Sequence, residues 1–131
     1  MILEGIVRSG KNDFSYWLNL LEPFYTAKTG MKLFPGTLNV HLIDRFYSLP
    51  HKVMRLEKEE YGGTVSVSMI PCQIFSRDAW ILRTDNDPGK HGYLPEQILE
   101  IATDVKLRDE YQVKDGDIVE VEIRTGEAVE T

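Results

Sequence analysis

The sequence predicts a mainly β protein that folds as one small β-barrel domain of about six strands with short helices. Two observations lead to this prediction. Segments in which apolar and polar residues alternate recur along most of the chain, and 131 residues are enough to bury one core but hardly two. The predicted strands cover residues 2–7, 38–42, 53–56, 64–75, 79–83, 98–102 and 118–123.

The segment between the first two predicted strands is ambiguous between strand and helix. We interpret its first half, Asp13 to Glu22, as a strand. Residues 23–28 form one predicted helical piece, because Gly30 follows them in the position where glycine commonly ends a helix.

Two turns are predicted around the long strand 64–75. Tyr61 to Thr64, which contains two glycines, is interpreted as a hairpin turn that follows an acidic edge strand. Ser76 to Asp78 is interpreted as the next turn. Pro71 cannot donate a ladder hydrogen bond, so we expect a bend or an exposed edge at this residue.

Near the C-terminus, one helical turn at residues 107–111 precedes an acidic glycine turn at 114–117 and a half-buried strand at 118–123. This order of elements recurs in small barrels, so it supports the fold more than any function. Residues 1–124 are therefore expected to form the domain. Residues 125–131 are polar and acidic and are expected to be a flexible tail.

Composition and charge exclude several classes of protein. The formal net charge of −6 disfavours a mainly electrostatic partnership with nucleic acid or an anionic membrane. No stretch is apolar enough to span a bilayer, and the first residues do not resemble a secretion signal. Cys72 is the only cysteine, which excludes an internal disulfide and a cysteine-rich zinc site. Its place in an apolar strand pattern predicts a buried thiol. We expect a cytoplasmic monomer with neither nucleic acid nor membrane as a partner.

The stretch from Phe34 to Leu42 contains the most informative pattern for function. Thr37 and Asn39 follow the turn dipeptide Pro35-Gly36 and share one face of the predicted strand, because successive side chains alternate. Mg²⁺ prefers oxygen ligands and often relies on substrate phosphates, so a hydroxyl and a carboxamide are enough protein anchorage. The alternative is that both residues only stabilise the start of the strand.

Four motifs in register resemble the archaeal-type CTP-dependent riboflavin kinases. The motifs are Gly36-Thr37-Leu38-Asn39, the strand from Ile98 to Ala102, the stretch from Val105 to Arg108, and Lys114-Asp115-Gly116-Asp117. The resemblance runs from Ile2 to about Ile123. It implies a small cradle-loop β-barrel that transfers the γ-phosphate of CTP to the 5′-hydroxyl of riboflavin, giving FMN and CDP with Mg²⁺ as the helper ion.

The resemblance also implies roles for individual residues. Thr37 and Asn39 match the magnesium ligands, and Glu100 matches a flavin-contacting carboxylate that is also the candidate for orienting the attacking hydroxyl. The resemblance implies that the nucleotide lies along Val105, Lys106, Leu107 and Arg108. The alternative is that Lys106 and Arg108 are solvated residues near a short helix.

Two loops differ from the pattern of the family. A glycine-rich turn that cradles phosphates is expected after the first strand, but only Gly10 is present there. Lys11, Asn12 and Ser15 are the candidate replacements as donors to phosphate. In the second loop, Gly92 stands where a hydroxyl residue often contacts the flavin phosphate. The candidate flavin-binding residues there are His91, Gly92 and Tyr93.

Three classes of function are therefore compared. The first is the kinase. The second is a non-catalytic module of the same fold that binds a flavin or nucleotide as a regulatory ligand, with its triphosphate site lost through the altered first loop. The third is a nucleic-acid-binding or transcriptional module, which the acidic balance and the absence of a basic stripe disfavour.

Overall fold

The structure is a computed structural model, and it describes residues 1–9, 13–43, 45–48, 53–85, 97–123 and 129–130. Within these residues the chain forms nine strands and four helices. In chain order they are β1 (Ile2–Arg8), α1 (Asp13–Leu20), α2 (Glu22–Thr29), β2 (Leu38–Leu42), β3 (Tyr47–Ser48), β4 (Met54–Leu56), α3 (Lys58–Tyr61), β5 (Val67–Ile74), β6 (Arg77–Thr84), β7 (Ile98–Ala102), α4 (Leu107–Glu110), β8 (Ile118–Glu122) and β9 (Val129–Glu130).

The main sheet closes into a barrel of antiparallel strands. Its strand order is β4-β5-β6-β7-β2-β1-β8, and β8 also pairs with β5. The six strands from β5 to β8 in this order therefore form a closed ring, and β4 is one additional strand at its edge. The predicted fold class, a small barrel of about six strands with short helices, is confirmed.

Apolar residues fill both the barrel and the space outside one of its faces. Leu38, Val40 and Leu42 of β2 belong to the barrel core, as the alternation predicts. A second cluster lies where α1 and α2 pack on the sheet, and it includes Phe14, Tyr25, Met69, Leu82 and Ala102. All five residues of β2 are buried, so the polar residues of this strand are not on an open surface.

The interpretation of Asp13 to Glu22 as a strand is wrong, because this segment begins with helix α1. Phe14, Leu18 and Leu21 are buried, whereas Tyr16 and Trp17 between them are exposed. Buried residues at spacings of four and three belong to one helix face. Helix α2 and its C-terminal Gly30, which has a φ of 72°, agree with the prediction.

The acidic segment before the two glycines is also a helix rather than an edge strand. The side chains of Glu57 and Glu60 form a capping box at the start of α3, and Gly62 ends it with a φ of 69°. The expected hairpin is therefore a β4–α3–β5 connection. The tight turn between β5 and β6 lies one residue earlier than predicted, since Phe75 and Ser76 adopt φ angles of 55° and 60°.

Two predictions about single residues of the sheet are confirmed. Pro71 is exposed, and it lies between the segments of β5 that pair with β4 and with β8. The thiol of Cys72 is buried, and this burial raises its pKa to about 12. Cys72 is therefore an unreactive core residue.

Gly5 lets β1 approach β2 closely. A Cβ atom at this position would lie 2.4 Å from Cγ1 of Val40 and 2.8 Å from the carbonyl oxygen of His41. A side chain at residue 5 would therefore force the two strands apart. Since β1 and β2 both contribute to the candidate site, this close approach helps to position it.

The C-terminal segment contributes one short pairing. Residues 129–130 form β9, in which Val129 pairs with Ser48 and Glu130 with Tyr47. Residues 124–128 and 131 lie outside the described part of the chain, and the predicted boundary of the domain at residue 124 stays a prediction. None of the helices described here has the length and apolar character needed to cross a bilayer.

Candidate active site

Three polar side chains form a row across neighbouring strands. In the ladder between β1 and β2, Arg8 pairs with Asn39, and in the ladder between β2 and β7, Asn39 pairs with Glu100. Directly opposed residues of antiparallel strands project to the same face. A guanidinium, a carboxamide and a carboxylate are therefore neighbours on the outer face of the barrel, opposite to the face that forms its core.

A cavity of about 360 Å³ opens beside this row. It lies between the ends of β1 and β2, the residues that precede β2, and the region of α4. Most of the predicted ligand-binding residues that the structure describes line it together. They are Ser15, Thr37, Asn39, Val105, Lys106, Leu107 and Arg108.

The structure also brings residues to the cavity for which the sequence indicated no role. Arg8 and Ser9 lie at the end of β1, and Gly36 and Ile101 complete other parts of the wall. Phe34, an aromatic residue that the sequence did not single out, also lines the cavity. The one sequence signal for Arg8 is that a cation directly precedes the expected phosphate loop.

The predicted loop residues of the site fall outside the part of the chain that the structure describes. They are Gly10, Lys11, Asn12, His91, Gly92 and Tyr93. The nucleotide role of the first three and the flavin role of the last three stay predictions.

Asn39 has the features expected of a cation ligand. Its side chain is 5 % exposed and lines the cavity. Its carbonyl oxygen Oδ1 is buried and accepts no hydrogen bond from any residue described in the structure. A buried polar atom without a partner costs free energy, so such an atom calls for an explanation. A cation that enters from the cavity would satisfy it.

The hydroxyl of Thr37 is the second neutral oxygen that could coordinate a cation. This hydroxyl lies 3.5 Å from Oε1 of Glu100, a long and therefore weak contact that a stronger partner can replace. No group of three or more acidic, histidine or cysteine side chains suitable for a metal occurs among the described residues. The oxygen donors at the cavity suit Mg²⁺, which completes its coordination with water and phosphate oxygens.

Glu100 lies next to Thr37 and Asn39. It is 5 % exposed, and its neighbours across the two ladders are Asn39 and Leu82. Burial of a carboxylate requires polar partners, and the contact with Thr37 is one of them. Glu100 is not one of the described residues that line the cavity, and it lies on β7 beside Asn39.

Asp115 joins two walls of the cavity. Its Oδ2 accepts a hydrogen bond of 2.6 Å from the hydroxyl of Ser9, and its Oδ1 accepts one of 2.6 Å from Nη2 of Arg108. The turn around it is fixed to β1, because Gly116 donates to the carbonyl of Val7 over 2.8 Å. The hydrogen bond from the Ser9 hydroxyl lowers the pKa of the Asp115 carboxyl below its usual range, and the hydrogen bond from Arg108 has the second largest effect in the same direction.

The Asp115 bridge leads to a prediction about stability and pH. A carboxyl whose pKa is lower in the folded protein stabilises it above the unfolded pKa of about 3.9, and this stabilisation is lost as the pH falls through the folded pKa. Asp115→Asn is therefore expected to be less stable than the wild type at pH 7 and equally stable near about pH 2. Urea unfolding at both pH values measures this difference.

Asp109→Asn is the matched control for this experiment, because Asp109 lies in the same region and is exposed. Among the described residues, its side chain has only a 3.9 Å ion pair with Lys106. Its stability should follow that of the wild type at both pH values. A deficit of Asp115→Asn that is the same at pH 2 as at pH 7 would show that the charge of Asp115 is irrelevant.

Comparisons with known proteins identify the family of this chain. The family model CTP-dep_RFKase, described as domain of unknown function DUF120, matches residues 7–123. The chain is 30 % identical to a riboflavin kinase of Methanospirillum hungatei over 133 residues, which cover 94 % of this chain and 58 % of the relative. It is 36 % identical to a riboflavin kinase of Thermofilum pendens over 139 residues, which cover 94 % of this chain and 59 % of the relative.

A riboflavin kinase of Methanoregula boonei is 33 % identical over 134 residues, which cover 92 % of this chain and 56 % of that protein. The chain thus spans little more than half the length of these curated relatives. The matched region begins at the end of β1 and includes both the row of polar residues and the wall formed by residues 105–108. The chain therefore belongs to the archaeal-type CTP-dependent riboflavin kinase family.

Proposed function

We propose that this domain is a kinase that transfers the γ-phosphate of CTP to the 5′-hydroxyl of riboflavin. The hydroxyl oxygen forms a bond to the γ-phosphorus, the bond from this phosphorus to the bridging oxygen of CDP breaks, and the hydroxyl loses its proton. The products are FMN and CDP. The observation that supports this most is the buried Oδ1 of Asn39, which accepts no hydrogen bond within the described part of the chain and lies beside a cavity that residues 105–108 also line.

In this proposal, Thr37 and Asn39 hold Mg²⁺ through their neutral oxygens. When bound, Mg²⁺ neutralises the charge that develops on the leaving diphosphate. Asn39 is held in place by the ladder of β2 with β1 and β7, and Thr37 directly precedes β2. A protein with a net charge of −6 needs such local neutralisation to bind a triphosphate.

The nucleotide lies along Val105 to Arg108 in the proposal. Leu107 is buried, and Val105 is partly buried, so this wall is anchored in the core rather than free in solvent. Main-chain groups of an anchored segment can read the edge of a pyrimidine at fixed geometry. The preference for CTP is thus assigned to this wall.

Glu100 is proposed to orient the 5′-hydroxyl of riboflavin and to accept its proton. Phosphoryl transfer depends mainly on positioning and electrostatics, so a strong base is not required. The closeness of Glu100 to Thr37 would place the acceptor hydroxyl next to the phosphate that is transferred. His91, Gly92 and Tyr93 are proposed to complete the flavin site.

A direct assay tests the proposal. The purified chain is incubated with riboflavin, Mg²⁺ and one of CTP, ATP, GTP or UTP, and FMN is separated from riboflavin by chromatography. We expect FMN with CTP, in equal amount to the CDP formed, and little with the other nucleotides. Absence of FMN with every nucleotide would contradict the proposal, and tight riboflavin binding without turnover would favour a non-catalytic flavin-binding module. The monomeric state and the cytoplasmic location are part of the same proposal.

A further inference from the structure

We propose that Arg8 binds the phosphate chain of the nucleotide donor, an inference that rests on the proposed function of the cavity. Arg8 is the last residue of β1 and lines the cavity. It pairs with Asn39 in the ladder, so its side chain starts on the same face as the proposed cation ligand. A guanidinium in this position can donate two hydrogen bonds to a phosphate that the cation also contacts.

The position of Arg8 at the end of its strand explains why its side chain is accessible. The pairing of β1 with β8 covers Ile2 to Ile6, whereas the pairing with β2 continues to Arg8. Arg8 thus extends beyond β8 and has a strand neighbour on one side only. Its side chain is exposed, in contrast to the buried Asn39 beside it.

Of the other described cations at the cavity, Arg108 has a close anionic partner and Lys106 has a distant one. Arg108 donates to Asp115 over 2.6 Å, and Nζ of Lys106 lies 3.9 Å from Asp109. The side chain of Arg8 forms no hydrogen bond or ion pair with any residue that the structure describes. A cation whose charge is not compensated attracts phosphate more strongly than one that must first give up a carboxylate.

Asp115, an acidic residue beside the end of β1, already has two partners. Asp115 contacts Ser9, the residue after Arg8, but its two oxygens already accept hydrogen bonds from Ser9 and Arg108. The carboxylate therefore fixes the cavity wall, and Arg8 is left for the ligand. In this arrangement, Arg108 positions the cavity wall through Asp115, and Arg8 binds the phosphate.

The test compares binding of CDP with binding of cytidine, which lacks the phosphates. Both dissociation constants are measured by calorimetry in the presence of Mg²⁺ for the wild type, Arg8→Gln and Arg8→Lys. We expect Arg8→Gln to weaken CDP binding about tenfold or more, the effect of losing a charge-assisted hydrogen bond, and to leave cytidine binding unchanged. Arg8→Lys should recover part of the CDP affinity, because lysine keeps the charge but not the two-pronged geometry.

Lys58→Gln is the matched control, because it also removes one exposed positive charge but lies in α3, away from the cavity. It should bind CDP like the wild type. Equal CDP affinity of Arg8→Gln and the wild type would overturn the inference, as would a fall of the same factor for cytidine. Failure of the wild type to bind CDP at all would overturn it too.

This experiment separates the inference from the proposed kinase activity, since it measures binding and not turnover. A wild type that binds CDP through Arg8 but makes no FMN would refute the kinase and leave the role of Arg8 intact. A wild type that makes FMN, together with an Arg8→Gln variant of unchanged CDP affinity, would refute only the role of Arg8.

Discussion

Asn39→Ala is expected to lower FMN formation by roughly 100-fold or more, which corresponds to about 2.7 kcal/mol of transition-state stabilisation, while the protein stays folded. The substitution removes one of the two proposed protein ligands of Mg²⁺. It also removes a buried oxygen that has no hydrogen-bond partner among the described residues. Removing the unsatisfied oxygen stabilises the folded protein, whereas the small gap left in the packing destabilises it. The two effects largely cancel, so the free energy of unfolding should change by about 1 kcal/mol or less.

Initial rates at saturating riboflavin and CTP, together with urea unfolding, measure both effects. Asn19→Ala is the matched control, because Asn19 is an exposed residue of α1, and it should keep the activity of the wild type. If Asn39→Ala loses activity only in proportion to its unfolded fraction, Asn39 stabilises the strand and does not hold a cation.

Glu100→Gln is expected to lower kcat by about 100-fold, with little change in the KM for CTP. Glutamine has nearly the same shape and keeps an oxygen that can accept from Thr37, so the packing of β7 is preserved. It lacks the negative charge that would orient and deprotonate the 5′-hydroxyl of riboflavin. The effect should therefore fall on the chemical step rather than on nucleotide binding.

Steady-state kinetics with each substrate varied in turn distinguishes these effects. Glu120→Gln removes a carboxylate from an exposed position of β8 and serves as the control. An unchanged kcat of Glu100→Gln, or a change confined to the KM for CTP, would remove Glu100 from the chemical step.

The strands of the site could be predicted from the sequence because their signals are local. The bounds predicted for β2 and β7 agree with the structure, since Pro35-Gly36 precedes the first and both have the apolar residues of a strand. The same pattern placed Thr37 and Asn39 on one side and the core residues on the other. A one-residue error in the register would have reversed this assignment.

Helix α1 was missed because its sequence is compatible with both a helix and a strand. Aromatic residues such as Phe14 and Tyr16 are common in strands, and the segment is short. The helix is favoured by packing, which buries Phe14 and Leu18 against residues of the sheet that lie far away in the chain. Local propensity did not contain that information.

Arg8 and Asp115 were missed for a similar reason. The ladder partner of Arg8 is known only once the pairing of β1 with β2 is known. The hydrogen bond between Ser9 and Asp115 joins residues 106 positions apart. Glu100 was predicted as a site residue through the resemblance to the family, because a glutamate within an apolar strand does not reveal its neighbours, and its role stays a prediction.

The binding of Mn²⁺ in place of Mg²⁺, measured by electron paramagnetic resonance in the presence of CDP, tests the central claim most directly. The claim is that Asn39 and Thr37 hold the cation that binds the phosphate chain. It predicts that the wild type retains Mn²⁺ together with CDP, and that Asn39→Ala binds Mn²⁺ about ten- to a hundredfold more weakly although it is folded. Equal Mn²⁺ binding by the two folded proteins would contradict the claim.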